Sequence, residues 1–408
     1  MNCRFCGEKL TRRLIDLGTA PPSNAYLDPE ALHQPELYFP LRLFVCDRCW
    51  LVQTEDYARP DELFRSDYAY FSSFSKTWLD HASRYVDGVV ERFGLDQSHR
   101  VIEIASNDGY LLQYFNRKAI PCFGIEPTAD TARAARLRGI DTLEAFFGTA
   151  LAERLAGEGK TADLIIGNNV LAHVPDLNDF VAGIPKILKP AGIVTMEFPH
   201  LMQLIDQCQF DTIYHEHFSY FSFTTVRSLF HRHGLELFDV EELPTHGGSL
   251  RIYARRASEG QGPVSGRVEA LLSKEAARGI TSPRYYGDFQ SRAEGIKYAL
   301  LTFLIGQREK GARVAAYGAA AKGNTLLNYC GIRNDLIDFV VDASPHKQGK
   351  YLPGSRIAIV AEERIREQRP DYIVILPWNI REEIVAQLGY VRDWGGRFVV
   401  PVPDLVIL

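Results

Sequence analysis

Apolar residues in this chain fall mostly in short runs, each closed by a turn residue, an amide or a carboxylate. Val101, Ile102 and Ile104 make one such run, followed by a turn that ends at Gly109 and by a helical stretch over residues 110–118. Residues 121–126, 162–169 and 192–198 repeat the pattern, with a further helix over 129–138. Runs apolar on both faces predict buried parallel strands with helices packed between them. A second series, at 313–318, 337–342, 371–379 and 396–401, predicts another α/β unit. Before the first series, 14–17 and 38–45 read as strands in a segment with little apolar core of its own, and 76–93 as a helix. Residues 258–298 read as a charged helical connector. The pattern therefore predicts an α/β protein of three parts: a small N-terminal module over residues 1–65, a Rossmann-like domain over 66–257, and a second Rossmann-like domain over 258–408.

In an open α/β sheet, ligands sit beyond the carboxyl ends of the strands. Gly109, Glu126 and Asn168 should converge there. Gly109 permits close backbone approach. Glu126 follows the turn by roughly 20 residues, where an acid accepts hydrogen bonds from a ribose. Phe146 and Phe147 follow the next strand and offer aromatic faces for a base. The turn lacks the three-glycine dinucleotide fingerprint, which points to a nucleoside without a pyrophosphate. The stretch Glu103-Ile-Ala-Ser-Asn-Asp-Gly109 resembles the E-x-G-x-x-x-G loop of class I S-adenosylmethionine methyltransferases, with Ala105 in place of the first glycine. The resemblance implies adenosylmethionine as cofactor, held by Glu103, Ala105, Asn107, Gly109, Glu126, Pro127, Phe146, Phe147, Asn168 and Asn169.

The 408 residues carry a formal net charge of −5, which gives no reason to expect a nucleic-acid partner. No apolar run is long enough to span a membrane, and no secretory signal is visible, so a cytoplasmic protein is expected. Seven cysteines include Cys3-x-x-Cys6 and Cys46-x-x-Cys49. Two such knuckles can supply four thiolates to one zinc. A four-sulfur set leaves no open coordination position, so a structural zinc is expected.

The densest chemistry lies in Tyr214-His-Glu-His217. Strand alternation or a single helical turn would place Glu216 beside one histidine, the arrangement of an oriented general base. The spacing is not that of a metalloprotease helix. His173 follows the strand ending in Asn168 and Asn169, near the same edge. His246-Gly-Gly offers a close backbone approach through Gly247. In the second α/β unit, the small-residue turn 319–325 resembles a phosphate-binding helix start, with Lys322 as counter-charge and Asn324 beyond it. The third strand of that unit ends in Trp378 and Asn379.

Taken in order, these motifs resemble the zinc-binding sugar C-methyltransferases of deoxysugar pathways, over essentially the whole chain. The resemblance implies a nucleotide-linked 4-keto-6-deoxysugar as substrate, methylated at C3 through a histidine-generated enolate. It implies that Tyr214, Glu216 and His217 form the catalytic Tyr-x-Glu-His, with His173 as a second active-site histidine. It further implies that the C-terminal domain holds the nucleotide-sugar, with His246, Gly247, Lys322, Asn324, Trp378 and Asn379 facing it, joined by Tyr68 and Tyr70. An O-methyltransferase is the nearest alternative. A nicotinamide-dependent oxidoreductase and a non-catalytic scaffold are more distant ones.

Overall fold

A computed structural model describes residues 1–55, 72–74, 76–259 and 262–408. Tyr68, Tyr70 and the boundary at residues 65/66 lie outside the described residues. Three sheets organise the chain. The first is antiparallel, in the order Arg12–Ala20, Phe39–Val45, Val52–Thr54, Ser219–Tyr220. Its fourth strand comes from far along the chain, directly after the Tyr214–His217 stretch. No periodicity announces this, because a two-residue edge strand carries none.

The second sheet has seven strands, in the order Leu235–Leu243, Ser249–Arg256, Leu188–Pro199, Ala162–Asn168, Val101–Ile104, Cys122–Glu126, Thr142–Glu144. The last five in that list run parallel, and the first two form an antiparallel hairpin against them. Val101, Ile102, Leu164, Ile165 and Ile166 are fully buried, as strands covered on both faces must be. The strand over Leu235–Leu243 was not evident from the sequence. It carries Glu236, Asp239 and Glu241, which pair with Arg255, with Arg92 and Arg267, and with Arg251. The helix expected over 110–118 spans only Leu112–Arg117, because Gly109 at φ 76° still belongs to the turn.

The third sheet runs Ile359–Val360, Val340–Val341, Val314–Tyr317, Tyr372–Ile375, Arg397–Val400, Val406–Ile407, parallel except for its final pair. The strand expected over 337–342 shrinks to Val340–Val341. Helices Gly266–Arg278 and Phe289–Glu309 fill most of the expected connector and run beyond it. Among the described residues, no helix is long and apolar enough to cross a membrane.

Candidate active site between the second and third sheets

Strand order in the second sheet reverses between Val101–Ile104 and Ala162–Asn168, so a crevice opens at their carboxyl ends. The turn there alternates left-handed residues: Ala105 at φ 59°, Asn107 at 49° and Gly109 at 76°. A Cβ on Gly109 would stand 2.9 Å from Ile140 Cγ1, so only glycine fits. Ala105 adopts its left-handed angle with a Cβ, which costs about 1 kcal/mol. Ala105→Gly is therefore expected to raise stability by about 1 kcal/mol, read from the denaturant midpoint; an unchanged or lower midpoint would show that the turn is not strained.

Glu126 closes the crevice wall. Its Oε2 accepts from Asn107 N–H and its Oε1 from Thr128 N–H, each at 2.9 Å. Burial raises its pKa, and the Thr128 and Asn107 bonds oppose the rise. The Thr128 hydroxyl donates to Oε1 as well, so Oε2 is the oxygen that keeps a lone pair to accept a ribose hydroxyl. Asn168 Oδ1 and Asp108 Oδ1 are buried acceptors without a hydrogen-bond partner among the described residues. Such orphans suit the ammonium and hydroxyl donors of adenosylmethionine. Not every expected residue faces this crevice. Glu103 is 1% exposed beneath the turn, where burial and then the Glu126 charge push its pKa well up. Phe147 packs edge-on against Phe180 at 5.4 Å and belongs to the core. Phe146, 57% exposed, is the aromatic left to meet a base, and Pro127 follows Glu126 half-buried.

Tyr214-His-Glu-His217 forms a tight turn, closed by His217 N–H to Tyr214 O at 3.0 Å. The turn stacks the two end rings with centroids 3.9 Å apart and points the corner residues elsewhere. The expectation that Glu216 orients a histidine through its carboxylate is corrected here. Its Oε1 accepts from Asn24 Nδ2 at 3.2 Å, on the N-terminal module, and burial raises its pKa. His217 is held by Thr212 O, 3.0 Å from Nδ1, and its Nε2 lies 2.8 Å from the Tyr214 hydroxyl. His173 is held in the same way, with Nδ1 2.8 Å from the main-chain oxygen of Glu216. Both rings thus keep Nδ1–H on a carbonyl, which leaves the lone pair on Nε2, and their centroids lie 4.7 Å apart, edge to face. Burial lowers both pKa values, to about 4 for His173 and well below normal for His217, which the neighbouring His173 depresses further. Both are neutral imidazoles at pH 7, able to accept a proton.

The third sheet reverses its order between Val314–Tyr317 and Tyr372–Ile375, and its crevice faces this turn. Thr325 Oγ1 donates to Ile213 O at 2.7 Å. Trp378 Nε1 donates to Asp211 Oδ2 at 2.6 Å. A Cβ on Gly247 would meet Trp378 Cη2 at 2.5 Å, so the glycine is what lets that ring seat. His246, at φ 55°, lies 3.4 Å from Asn169 Nδ2. Lys322, Trp378, Asn379, His246, Asn169 and His173 are all half-buried, and the charges of His173, His246 and Lys322 all reach His217. Asn324 does not join them: it is 1% exposed and donates to Ser23 O at 2.6 Å, tying the third sheet to the N-terminal module.

Sequence reasoning missed a second cluster beside His246. Trp78 stacks on His81 at 4.9 Å and meets His246 at 5.1 Å. His81 Nε2 lies 2.8 Å from Glu197, whose other oxygen takes Arg251 Nε at 2.7 Å. Burial pushes Glu197 up, but His81 and Arg251 outweigh it and hold it below the usual range. The available signal was an acid near the end of the strand at 192–198, matching Glu126 on its own strand.

In the N-terminal module, the sulfurs of Cys3, Cys6, Cys46 and Cys49 all lie within 4.8 Å of one another. Cys3–Cys49 and Cys6–Cys46 stand at 3.5 Å, close to the edge of a tetrahedron with metal–sulfur bonds of about 2.3 Å. The residue after each knuckle, Gly7 at φ 77° and Trp50 at 62°, turns left-handed. Four thiolates cannot ionise side by side unaided: Cys3 falls to about 5 through its bond to Cys49, while burial pushes Cys46 up to about 11. The donor set therefore fits a divalent, sulfur-preferring cation.

Family models match the chain in three stretches: a "Putative zinc binding domain" over residues 3–64, a methyltransferase domain over 78–240, and a C-methyltransferase C-terminal domain over 244–403. The chain is 36% identical to the C-methyltransferase NovU of Streptomyces niveus over 402 residues, 98% of this chain and 95% of that protein. A ubiquinone biosynthesis O-methyltransferase of Chelativorans sp. is 27% identical over 26% of this chain and 46% of its own length. Among solved structures, magnesium protoporphyrin IX methyltransferase (ChlM) of Synechocystis with bound SAM aligns at TM-score 0.34 and 13% identity, over 44% of this chain and 79% of that one.

Proposed function

The chain belongs to the C-methyltransferase family that carries an N-terminal zinc-binding domain, and from that footing we propose that it methylates C3 of a nucleotide-linked 4-keto-6-deoxyhexose. The observation that carries the reading is the pair of neutral imidazoles, His217 and His173, set 4.7 Å apart on the edge where the cofactor crevice opens. Methylation at carbon needs a carbanion equivalent, and a ketone makes the adjacent C–H acidic enough for an imidazole to remove. Methylation at oxygen needs no enolate. Bound adenosylmethionine supplies an electrophilic methyl, whose C–S electron pair stays with sulfur when a carbon nucleophile takes it.

In this reading His217 removes the proton and Tyr214 donates to the developing enolate oxygen. His173 assists from the second position. Glu216 acts through its main-chain oxygen, which fixes the His173 tautomer, and not through a carboxylate–imidazole contact. Asn107, Gly109, Glu126 and Asn168 hold the cofactor. His246, Gly247, Trp378 and Asn379 face the nucleotide-sugar, and Tyr68 and Tyr70 belong to the same proposal. The four cysteines hold one structural zinc. The division into domains at 65/66 and 257/258 is part of the same reading.

The test is incubation with methyl-labelled adenosylmethionine and a panel of thymidine- and guanosine-diphosphate 4-ketosugars, with the product read by NMR. A new methyl on C3 is expected. A methyl on oxygen would replace this reading with O-methylation, and a methyl on C5 would move the site of deprotonation.

Glu126→Ala is expected to weaken adenosylmethionine binding by roughly 1.5–3 kcal/mol, the worth of hydrogen bonds to a charged acceptor. Calorimetry reads this directly. Unaltered affinity would place the ribose away from this strand end.

A further inference from the structure

Lys322 stands near the start of the helix Ala321–Cys330, where the sequence suggests a counter-charge for phosphate. The structure gives its amine another setting. Nζ donates to the neutral amide oxygen of Asn379 at 2.6 Å and sits 4.8 Å from the centre of the Trp378 ring. That ring bonds Asp211 through its indole nitrogen and presses on Gly247. Gly247 carries His246 beside it, and Asp211 leads into the turn that ends at His217. The amine therefore lies close enough to His217 and His246 for its charge to act on them. Its charge reaches both His217 and His246, adding to the burial that lowers their pKa values. Burial lowers the lysine's own pKa, and the Asp211 charge opposes this. Yet Asp211 accepts its hydrogen bond from Trp378, and the lysine is tethered by an uncharged group. A half-buried cation held this way gains most from an anion that arrives or forms beside it.

We propose that Lys322 is a catalytic residue whose ammonium binds the ketone oxygen of the methyl acceptor and stabilises the negative charge that forms there. The proposal rests on the C-methylation reading given above. The electrons balance without any change in the lysine. The C–H proton goes to a histidine Nε2, the C–H pair becomes the enolate C=C bond, and the carbonyl π pair settles on the oxygen facing Nζ. When the carbon gains its methyl, that pair returns to the C=O bond. A lone ammonium on an aromatic face, among proton-accepting imidazoles, fits a single developing oxyanion. A diphosphate calls for several cationic or bidentate donors.

Lys322→Met and Asn379→Asp test this together. The first deletes the cation. The second leaves the lysine in place and pairs it with a carboxylate, so the test survives if the first variant folds poorly. Using the 4-ketosugar nucleotide that the wild-type protein methylates, exchange of the proton beside the ketone is followed by NMR in deuterium oxide, with S-adenosylhomocysteine bound. Both variants should lose exchange and kcat at saturating substrate by about 10²-fold or more, and Lys322→Met should change the dissociation constants of the nucleotide-sugar and of the nucleoside diphosphate alone by less than about threefold. Lys322→Arg, which keeps the charge, should recover part of the rate. Wild-type exchange in both folded variants would overturn the proposal. So would weakened binding of the nucleoside diphosphate with exchange intact at saturation, which would make Lys322 a phosphate ligand. If the wild-type protein neither exchanges nor methylates any ketosugar, the functional reading itself fails, before any variant is compared.

Discussion

Replacing His217 with asparagine is expected to abolish both methyl transfer and deuterium exchange beside the ketone, with adenosylmethionine and the sugar nucleotide still bound. The argument is geometric. Thr212 O fixes the proton on Nδ1, so Nε2 carries the lone pair, and the Tyr214 hydroxyl sits 2.8 Å from it. In the resting site that hydroxyl donates to Nε2. When substrate arrives, the hydroxyl can turn to the oxygen while Nε2 takes the proton. Asparagine keeps the size and some hydrogen bonding but cannot accept a proton, so a loss of about 10²–10⁴-fold is expected. His173→Asn separates the two candidate bases. If His173 only assists, exchange slows but persists. The pH profile carries a second signature. A base must be neutral, so the rate falls as pH drops through its pKa. His173, His246 and Lys322 all bear on His217 and push its pKa down. Removing the first should raise that pKa and move the acid limb to higher pH. Full exchange in His217→Asn, with none in His173→Asn, would reverse the assignment.

Removing zinc is expected to cost stability and activity in one step. From the knuckles alone the metal looks remote from catalysis, so Cys46→Ala would lower stability more than turnover. The sheet order changes that expectation. Val52–Thr54 follows the second knuckle and pairs with Ser219–Tyr220. Thr54 N–H donates to Phe218 O at 3.1 Å, and Thr54 Oγ1 to His217 O at 3.3 Å. Asn24, between the knuckles, holds Glu216. Because structural zinc contributes folding free energy outright, Cys46→Ala should lose one equivalent of zinc, lower the melting temperature, and reduce turnover of the folded fraction by loosening the turn that carries His217. Metal analysis, calorimetry and single-turnover rates read the three effects. Zinc-free protein with unchanged melting and rate would end the claim, and unchanged turnover in a destabilised variant would show that the module only supports the fold.

Much of this was legible in the chain itself. β-branched runs closed by Gly109, Glu126 and Asn168 determined the parallel strands and the edge where they meet, because strand burial and turn chemistry are both written within a few residues. The paired C-x-x-C spacings determined a four-sulfur set, since a knuckle is a local turn. Tyr214-His-Glu-His217 marked the candidate catalytic stretch by composition alone. Directions and partners were decided elsewhere. Phe147 and Asn324 turned inward because Phe180 and Ser23 waited for them. His81 found Glu197 only when the helix Lys76–Phe93 packed on the face of the second sheet. Glu216 and His217 are neighbours in sequence but face opposite partners, because a tight turn brings positions 214 and 217 together and throws its corners outward. Which group meets a corner depends on the docking of a separate module, and Asn24 lies 192 residues away along the chain. Local pattern fixes the turn; only tertiary packing fixes what each of its side chains can touch.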